Sequence, residues 1–122
     1  MHELSLAHAI WTQVETEMGR LGGRLLGLDV VVGAFSGADA ESLEFALGLM
    51  AGRSDWPGAR VHLRTEPLAM ACRGCGAEFE VAGTVLACPS CGSMDADPVR
   101  GTEVRLESLE VETDGGKTDT SG

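Results

Sequence analysis

The chain has little positive charge and no tyrosine. Lys117 is the single lysine among 122 residues, and nine Lys and Arg stand against nineteen Asp and Glu, a formal net charge of −10. A protein that binds DNA or RNA needs basic side chains to displace counterions from the phosphates. The composition therefore argues against nucleic acid as a partner, whereas it permits cations and basic proteins.

The chain also lacks any run that approaches the roughly 20 apolar residues of a membrane-spanning helix. Its first residues do not show the basic start and apolar block of a secretory signal. We therefore expect a cytoplasmic protein with no membrane attachment. Thiols stay reduced in that compartment, so closely spaced cysteines there bind a metal more often than they form disulfides.

Hydrophobic spacing predicts two helices and three strands outside the cysteine segment. Apolar side chains recur every three or four positions in residues 4–21 and 41–52, which is typical of amphipathic helices. Residues 26–34, 60–66 and 103–112 alternate or are rich in β-branched side chains, which is typical of strands. We expect an α+β fold in which two helices pack on one face of a three-stranded sheet.

The third predicted strand changes phase within its length. Val104 and Leu106 are in phase with each other, whereas Leu109 and Val111 are in the opposite phase. A single extra residue at Ser108 would return all four side chains to one buried face. The pattern therefore predicts a β-bulge at that position.

The order of the elements predicts an insertion. Residues 68–101 contain all the cysteines and separate the strand at 102–112 from residues 1–67. Since that last strand belongs with the earlier ones, we expect residues 1–67 and 102–112 to form one α/β domain. Residues 68–101 then form an inserted zinc-binding domain. The remaining residues, 113–122, have no apolar side chain, so we expect a disordered tail.

The four cysteines form two C-x2-C pairs with twelve residues between them, in the segment CRGCGAEFEVAGTVLACPSCG: Cys72, Cys75, Cys88 and Cys91. Two intervening residues let both thiolates of a pair face one ion, and four thiolates in a tetrahedron suit Zn(II). Gly76 and Gly92 follow the second cysteine of each pair and permit the tight turn this requires. The spacing predicts a zinc-ribbon module whose metal is structural.

Other readings of the cysteines stay open at this point. Four thiols also suit a rubredoxin-like iron, an iron–sulfur cluster or a redox-active pair. A closed four-cysteine zinc site has no free coordination position, so we expect no catalysis there and no enzyme. An alternative function is that of a zinc-ribbon protein that binds nucleic acid or regulates, although the acidic composition argues against it.

The first residues, MHE, bring several nitrogen ligands together. The amine of Met1, the backbone amide and imidazole of His2, and the amide of Glu3 follow one another directly. Chelation by such nitrogens favours square-planar geometry, which suits Ni(II) or Cu(II) and disfavours tetrahedral zinc. A second-position histidine alone more often has no metal role. For His8 and His62 we expect plain structural roles, on the flank of a helix and on the solvent face of a strand.

Three features together resemble the hydrogenase maturation nickel metallochaperones, the HypA/HybF family. They are the start M-H-E-x-S, the stretch VVVGAFSGADAESLEFAL, and the pattern C-x2-C-x12-C-P-x-C-G followed by a β-rich end. They occur in the right order over about residues 1–112. The chain departs from the family pattern at Ala34, where members often carry an acidic residue that serves as a partner contact.

The resemblance implies two metal sites. By this resemblance, the transferred nickel ion would be bound by the Met1 amine, the backbone amides of His2 and Glu3 and the His2 imidazole. The side chain of Glu3 would tune that site. A structural zinc ion would be bound by the four cysteines, Cys72, Cys75, Cys88 and Cys91. Nickel transfer in this family is ligand exchange and not catalysis.

The resemblance also implies partners. The protein would work with a nickel-loading GTPase and deliver Ni(II) to the large subunit of [NiFe] hydrogenase. In some organisms such proteins also serve urease, which would add urease accessory proteins. We expect a monomer or a weak homodimer, because the exposed edges of a small sheet permit pairing between chains.

Overall fold

The computed structural model describes the backbone of residues 2–81, 83, 86–113 and 116–121, and the side chains of residues 3–81, 83 and 86–113. It confirms the predicted α+β class. The elements, in chain order, are α1 (His2–Leu21), β1 (Arg24–Gly33), α2 (Ala40–Gly52), β2 (Arg60–Glu66), β3 (Ala69–Cys72), β4 (Glu78–Glu80), β5 (Ala96–Arg100), β6 (Val104–Thr113) and β7 (Gly116–Ser121).

The larger sheet has the strand order β2-β1-β6-β7, and both helices pack on one of its faces. Strand β1 pairs parallel with β2 and antiparallel with β6. The parallel pair follows from α2, which carries the chain across between those two strands. The apolar core between helices and sheet includes Ala7, Trp11, Val14, Met18, Leu28, Val30, Val32, Leu43, Leu47, Leu106 and Leu109.

The start of α1 differs from the predicted buried stripe. Ala7, Trp11, Val14 and Met18 are buried as predicted, but Leu4 remains 45% exposed. The first turn of α1 lies beside the beginning of α2, where Leu4 faces a groove between the two helices. The apolar spacing identified the helix correctly and overestimated the extent of its buried face.

The predicted bulge in β6 is present, but its extra residue is Glu107, one position before the predicted Ser108. Asp29 pairs with Ser108, whereas the next residue, Val30, pairs with Leu106. A second shift, which the sequence did not predict, makes Leu26 the extra residue in β1. Leu25, 2% exposed, consequently lies in the core next to this bulge.

The predictions of a three-stranded sheet and of a disordered tail at 113–122 are corrected by β7. Gly116–Ser121 form a strand that pairs antiparallel with β6, so the sheet has four strands. Backbone hydrogen bonds form this pairing, and they require no apolar side chain. Composition alone therefore could not reveal the strand. Residues 114, 115 and 122 lie outside the described part of the chain.

A second sheet, ordered β4-β3-β5, carries the cysteine segment. Its two connections to the larger sheet meet at the end of β1. Backbone N–H groups of the loop that follows β1 donate to both connections, Ala34 to Glu66 O and Phe35 to Gly101 O, each at 2.8 Å. Gly101 has φ +91°, and a Cβ there would lie 2.5 Å from the Pro67 carbonyl oxygen. The two ends of the inserted segment are therefore held side by side.

Candidate metal centres

Two tight turns present the four cysteines. Strand β3 ends at Cys72, where the chain turns so that Gly76 N–H donates to Cys72 O at 2.9 Å. The second turn repeats this arrangement, with Gly92 N–H donating to Cys88 O at 2.8 Å. Both glycines have positive φ, 79° and 78°, a conformation that side-chain-bearing residues rarely adopt. The sequence prediction that these glycines permit the turns agrees with this geometry.

The turns bring the four sulfur atoms within 4.8 Å of one another. Cys72 Sγ lies 3.6 Å from Cys91 Sγ, and Cys75 Sγ lies 3.7 Å from Cys88 Sγ. A tetrahedron with metal–sulfur bonds of about 2.3 Å has edges of about 3.8 Å, so the cluster fits one zinc ion. An iron–sulfur cluster needs more room between its cysteines, because bridging sulfides and several irons lie at its centre.

The four thiols differ in their exposure. Cys72 and Cys88 are buried, while Cys75 and Cys91 are exposed. The N–H groups of Cys75 and Gly74 lower the pKa of Cys72 to about 7. Ser93 N–H lowers the pKa of Cys91, but the neighbouring Cys72 thiol and burial outweigh it and raise that pKa to about 11. Thiols this close cannot all ionise without a cation between them, so the arrangement favours a bound metal.

Arg73, inside the first C-x2-C pair, ties its turn to β5. Its guanidinium donates to Asp97 Oδ2 at 2.9 Å and to Asp95 Oδ1 at 3.3 Å, and its backbone N–H donates to Asp95 O. The hydrogen bonds from Arg73 lower the pKa of Asp97. This contact was not predictable from the sequence, because the residues lie more than twenty positions apart.

The candidate nickel residues lie on the other part of the fold. His2 begins α1 and Glu3 follows in its first turn, while Met1 and the side chain of His2 lie outside the described residues. Glu3 Oε2 accepts a hydrogen bond from Asp39 N–H at 3.2 Å. Asp39 is the N-cap of α2, and its Oδ1 accepts from Glu41 N–H at 3.0 Å. The first turns of the two helices therefore meet at residue 3.

The other two histidines occupy the positions predicted for them. His8 is exposed on α1, and His62 is exposed on β2. Neither lies among the four cysteines.

A groove of about 830 Å³ separates α1 from α2, and the sequence did not predict it. Its apolar lining includes Phe45 and Leu49, which are 69% and 47% exposed. Its polar lining includes the carboxylates of Glu15 and Glu41. A large aromatic side chain on the outer flank of a helix was the one signal in the sequence for such a surface.

The fold and the thiol cluster define a small metal-binding protein with a closed four-thiolate centre. In the part of the chain that the structure describes, no helix is long and apolar enough to cross a membrane. A family model described as hydrogenase/urease nickel incorporation, metallochaperone, hypA matches residues 1–111. The chain therefore belongs to the HypA family of nickel metallochaperones for hydrogenase maturation.

Relatives and solved structures agree with this assignment. Hydrogenase maturation factors HypA from Geobacter metallireducens and Desulfitobacterium hafniense are 33% and 32% identical to the chain. Each alignment covers 92% of this chain, and 100% and 99% of the respective relative.

The solution structure of the Ni metallochaperone HypA from Helicobacter pylori has a TM-score of 0.68 at 21% identity, covering 89% of this chain and 96% of that one. A second solution structure, of a HypA protein, has a TM-score of 0.71 at 24% identity, covering 91% and 96%. At these identities the likeness supports the fold.

Proposed function

We propose that this chain binds Ni(II) at Met1, His2 and Glu3 and delivers it for the maturation of [NiFe] hydrogenase. The observation that carries the proposal is the family match, which begins at residue 1 and so includes MHE. The chain would act by exchanging ligands around the ion and not as an enzyme. Delivery for urease is a second use of the same chemistry.

The position of these residues on α1 suits nickel chemistry. The first N–H groups of an α-helix have no carbonyl acceptor within the helix, so the amides of His2 and Glu3 are available to a metal at little cost to α1. Once deprotonated, these amides join the Met1 amine and the His2 imidazole in a square-planar set of four nitrogens. Glu3, fixed to Asp39 N–H, limits the movement of the terminus on its other side.

We further propose that Cys72, Cys75, Cys88 and Cys91 hold structural zinc. The sulfur spacing supports this, as does the closed set of four ligands. The zinc then stabilises residues 68–101 as an inserted domain, with residues 1–67 and the strand at 102–112 forming the nickel-binding domain. The separate strand orders of the two sheets support this division.

The groove between α1 and α2 is our proposed docking surface for partner proteins. Exposed Phe45 and Leu49 beside acidic Glu15 and Glu41 suit an amphipathic helix with basic flanks. We propose a nickel-loading GTPase and the hydrogenase large subunit as partners, with urease accessory proteins where urease is served, all in the cytoplasm. The chain itself would be a monomer or a weak homodimer.

A nickel titration of zinc-loaded protein with its native amino terminus tests the proposed site. We expect one tightly bound Ni(II) with the absorption of square-planar coordination. His2→Ala should abolish tight binding and leave the zinc content and the fold unchanged. The matched control is His8→Ala, which removes an exposed imidazole further along the same helix. Tight binding by His2→Ala, or its equal loss in His8→Ala, would refute the site.

A further inference from the structure

Strand β7 covers one edge of the larger sheet. It pairs antiparallel with the end of β6, from Ser108 opposite Ser121 to Thr113 opposite Gly116. The family match ends at residue 111, so β7 is an addition to the part of the chain that follows the family pattern. An uncovered edge strand presents backbone N–H and C=O groups to which another strand can add. The β6 edge is therefore a site for strand pairing that the chain fills with its own β7.

The composition of β7 leaves the core side of this edge without an apolar partner. The sequence of β7 is GKTDTS, so its pairing depends on backbone hydrogen bonds and buries no apolar side chain of its own. The register places Thr118 and Thr120 opposite Val111 and Leu109, which belong to the apolar core. Facing residues of paired strands lie on the same side of the sheet. A strand with apolar residues at these two positions would therefore extend the core.

The other side of β6 is acidic at this edge. Glu110 and Glu112 alternate with the core residues, and the register places Asp119 opposite Glu110 and Lys117 opposite Glu112. Glu112 also accepts a hydrogen bond from Arg24 of β1 at 2.6 Å. Opposite charges in facing positions stabilise strand pairing, whereas like charges in facing positions oppose it. Strand β7 thus brings a basic residue to one of the two acidic positions, and a strand with basic residues at both would match the edge better.

A second copy of this chain fits the same edge poorly. Antiparallel pairing of two β6 strands, with the helices of both copies on one side, would bring Glu110 and Glu112 of each copy close to the same carboxylates of the other. Each chain also has a net charge of −10, which adds to the repulsion. An extended basic segment of another protein meets neither obstacle.

We propose that the β6 edge at residues 108–113 is a docking site for an extended partner segment in which basic and apolar residues alternate, and that β7 covers this edge until such a segment displaces it. The segment adds as a strand, with affinity from backbone hydrogen bonds and specificity from alternate side chains. Two residues join β6 to β7, so β7 competes at an effective concentration on the order of mM. Only a segment that matches the edge better than β7 displaces it.

The test opens the edge in the full, zinc-loaded chain with Thr118→Pro. Thr113 and Gly116 pair with two residues between them, so they close a hairpin. Hydrogen-bonded pairs recur at every second position from that closing pair, which makes Val111 and Thr118 such a pair. Proline has no N–H to donate there and interrupts β7. Thr118→Ala keeps the N–H and is the matched control.

Hydrogen exchange measures how well β7 covers the edge. Thr118→Pro should lower the protection of the β6 amides that face β7 by about tenfold or more, while the amides of α1 keep theirs. Asp119→Lys removes the like charge opposite Glu110 and should raise the protection of the same β6 amides. Unchanged protection of these amides in Thr118→Pro, or lowered protection in Asp119→Lys, would contradict the assignment of β7 as the cover.

A synthetic peptide, GKVKVS, is the probe for docking. In the register of β7 it places Val opposite Leu109 and Val111 and Lys opposite Glu110 and Glu112. Fluorescence anisotropy should show binding to Thr118→Pro about tenfold or more tighter than to the parent or to Thr118→Ala, whose edges are covered. The control peptide GEVEVS keeps the apolar pattern and reverses the charges, so it should bind Thr118→Pro roughly tenfold more weakly.

Three outcomes would overturn the proposed occupant. They are no binding of GKVKVS by Thr118→Pro, equal binding of the two peptides, and equal binding of GKVKVS by Thr118→Pro and Thr118→Ala. Light scattering on Thr118→Pro adds a fourth, because a dimer would assign the edge to a second copy of the chain. Nickel takes no part in these measurements, so their results do not depend on the proposed chaperone function.

Discussion

The carboxylate of Glu3 accepts a hydrogen bond from the backbone N–H of Asp39, with 3.2 Å between Glu3 Oε2 and Asp39 N. This contact joins the first turn of α1 to the N-cap of α2. It fixes the residue that directly follows His2, so the proposed nickel ligands have a defined support on one side. Met1 and His2 directly precede that fixed point.

Loss of this contact should weaken nickel binding without affecting zinc. Glu3→Ala removes the acceptor, so the first turn of α1 frays and the terminal nitrogens lose their common orientation. A hydrogen bond of this kind contributes about 1 kcal/mol, which corresponds to roughly fivefold in affinity. Glu3→Gln keeps a carbonyl acceptor and should lose less. Competition titrations with a nickel chelator measure both variants, and equal affinity of Glu3→Ala and the parent would contradict the role assigned to this side chain.

Replacement of one proposed zinc ligand should affect the two parts of the fold differently. Cys88→Ser should reduce the zinc content from one ion per chain to none and unfold residues 68–101, because that segment buries few apolar side chains without its metal. The helices pack on the other sheet and should keep their amide protection. Metal analysis and hydrogen exchange measure the two effects. Met94→Ala is the control, since Met94 is 72% exposed and lies in the same segment.

The ion pair between Glu66 and Arg105 should make stability depend on pH. Glu66, whose side chain is 11% exposed, accepts from Arg105 Nη1 at 3.2 Å, and this contact lowers the pKa of Glu66 below its usual 4.5. A carboxylate with a lowered pKa stabilises the folded state above its ordinary pKa, and this contribution is lost as the pH falls through the lowered value. Glu66→Gln should therefore be less stable than the parent at pH 7 in urea, and the difference should shrink below about pH 4. A difference that stays constant with pH would argue against the ion pair as its cause.

The junction between the two sheets should tolerate no side chain at residue 101. Gly101→Ala combines a φ of +91° with a Cβ only 2.5 Å from Pro67 O, so we expect a loss of about 2 kcal/mol or more in the free energy of unfolding. Gly37→Ala is the matched control. Gly37 also has a positive φ, +81°, but a Cβ there has no heavy atom within 4 Å. Denaturant unfolding should show the smaller loss, about 1 kcal/mol, for Gly37→Ala.

Local patterns in the sequence predicted the features that depend on local geometry. Two intervening residues let both cysteines of a pair face one point, so the spacing predicted the local geometry of each pair. The bulge near Ser108 followed from a change of phase between Leu106 and Leu109. The bulge at Leu26 was missed because its neighbour Leu25 is identical, and exchanging the two leaves the apolar pattern intact.

Features that depend on contacts between distant residues were not predictable in this way. The hydrogen bond that Asp39 N–H donates to the Glu3 carboxylate joins residues 36 positions apart. Phe45 stands out in the sequence as an aromatic residue on the flank of α2, but only the placement of α1 beside α2 turns that flank into a groove. The polar composition of residues 113–122 suggested a disordered tail. Strand β7 nevertheless forms, because it pairs with β6 through backbone hydrogen bonds that need no apolar side chain.

The junction at the end of β1 also means that the cysteine segment can be removed or replaced by protein engineering. Ala34 N–H holds Glu66 O on one side of β1, and Gly33 N–H holds Glu103 O on the other. The chain leaves and re-enters the larger sheet at strands that flank β1, a gap of about 10 Å or two strand spacings. A loop of a few residues could close that gap, and another module could equally replace the cysteine segment there. Either change would leave both helices and the larger sheet in place.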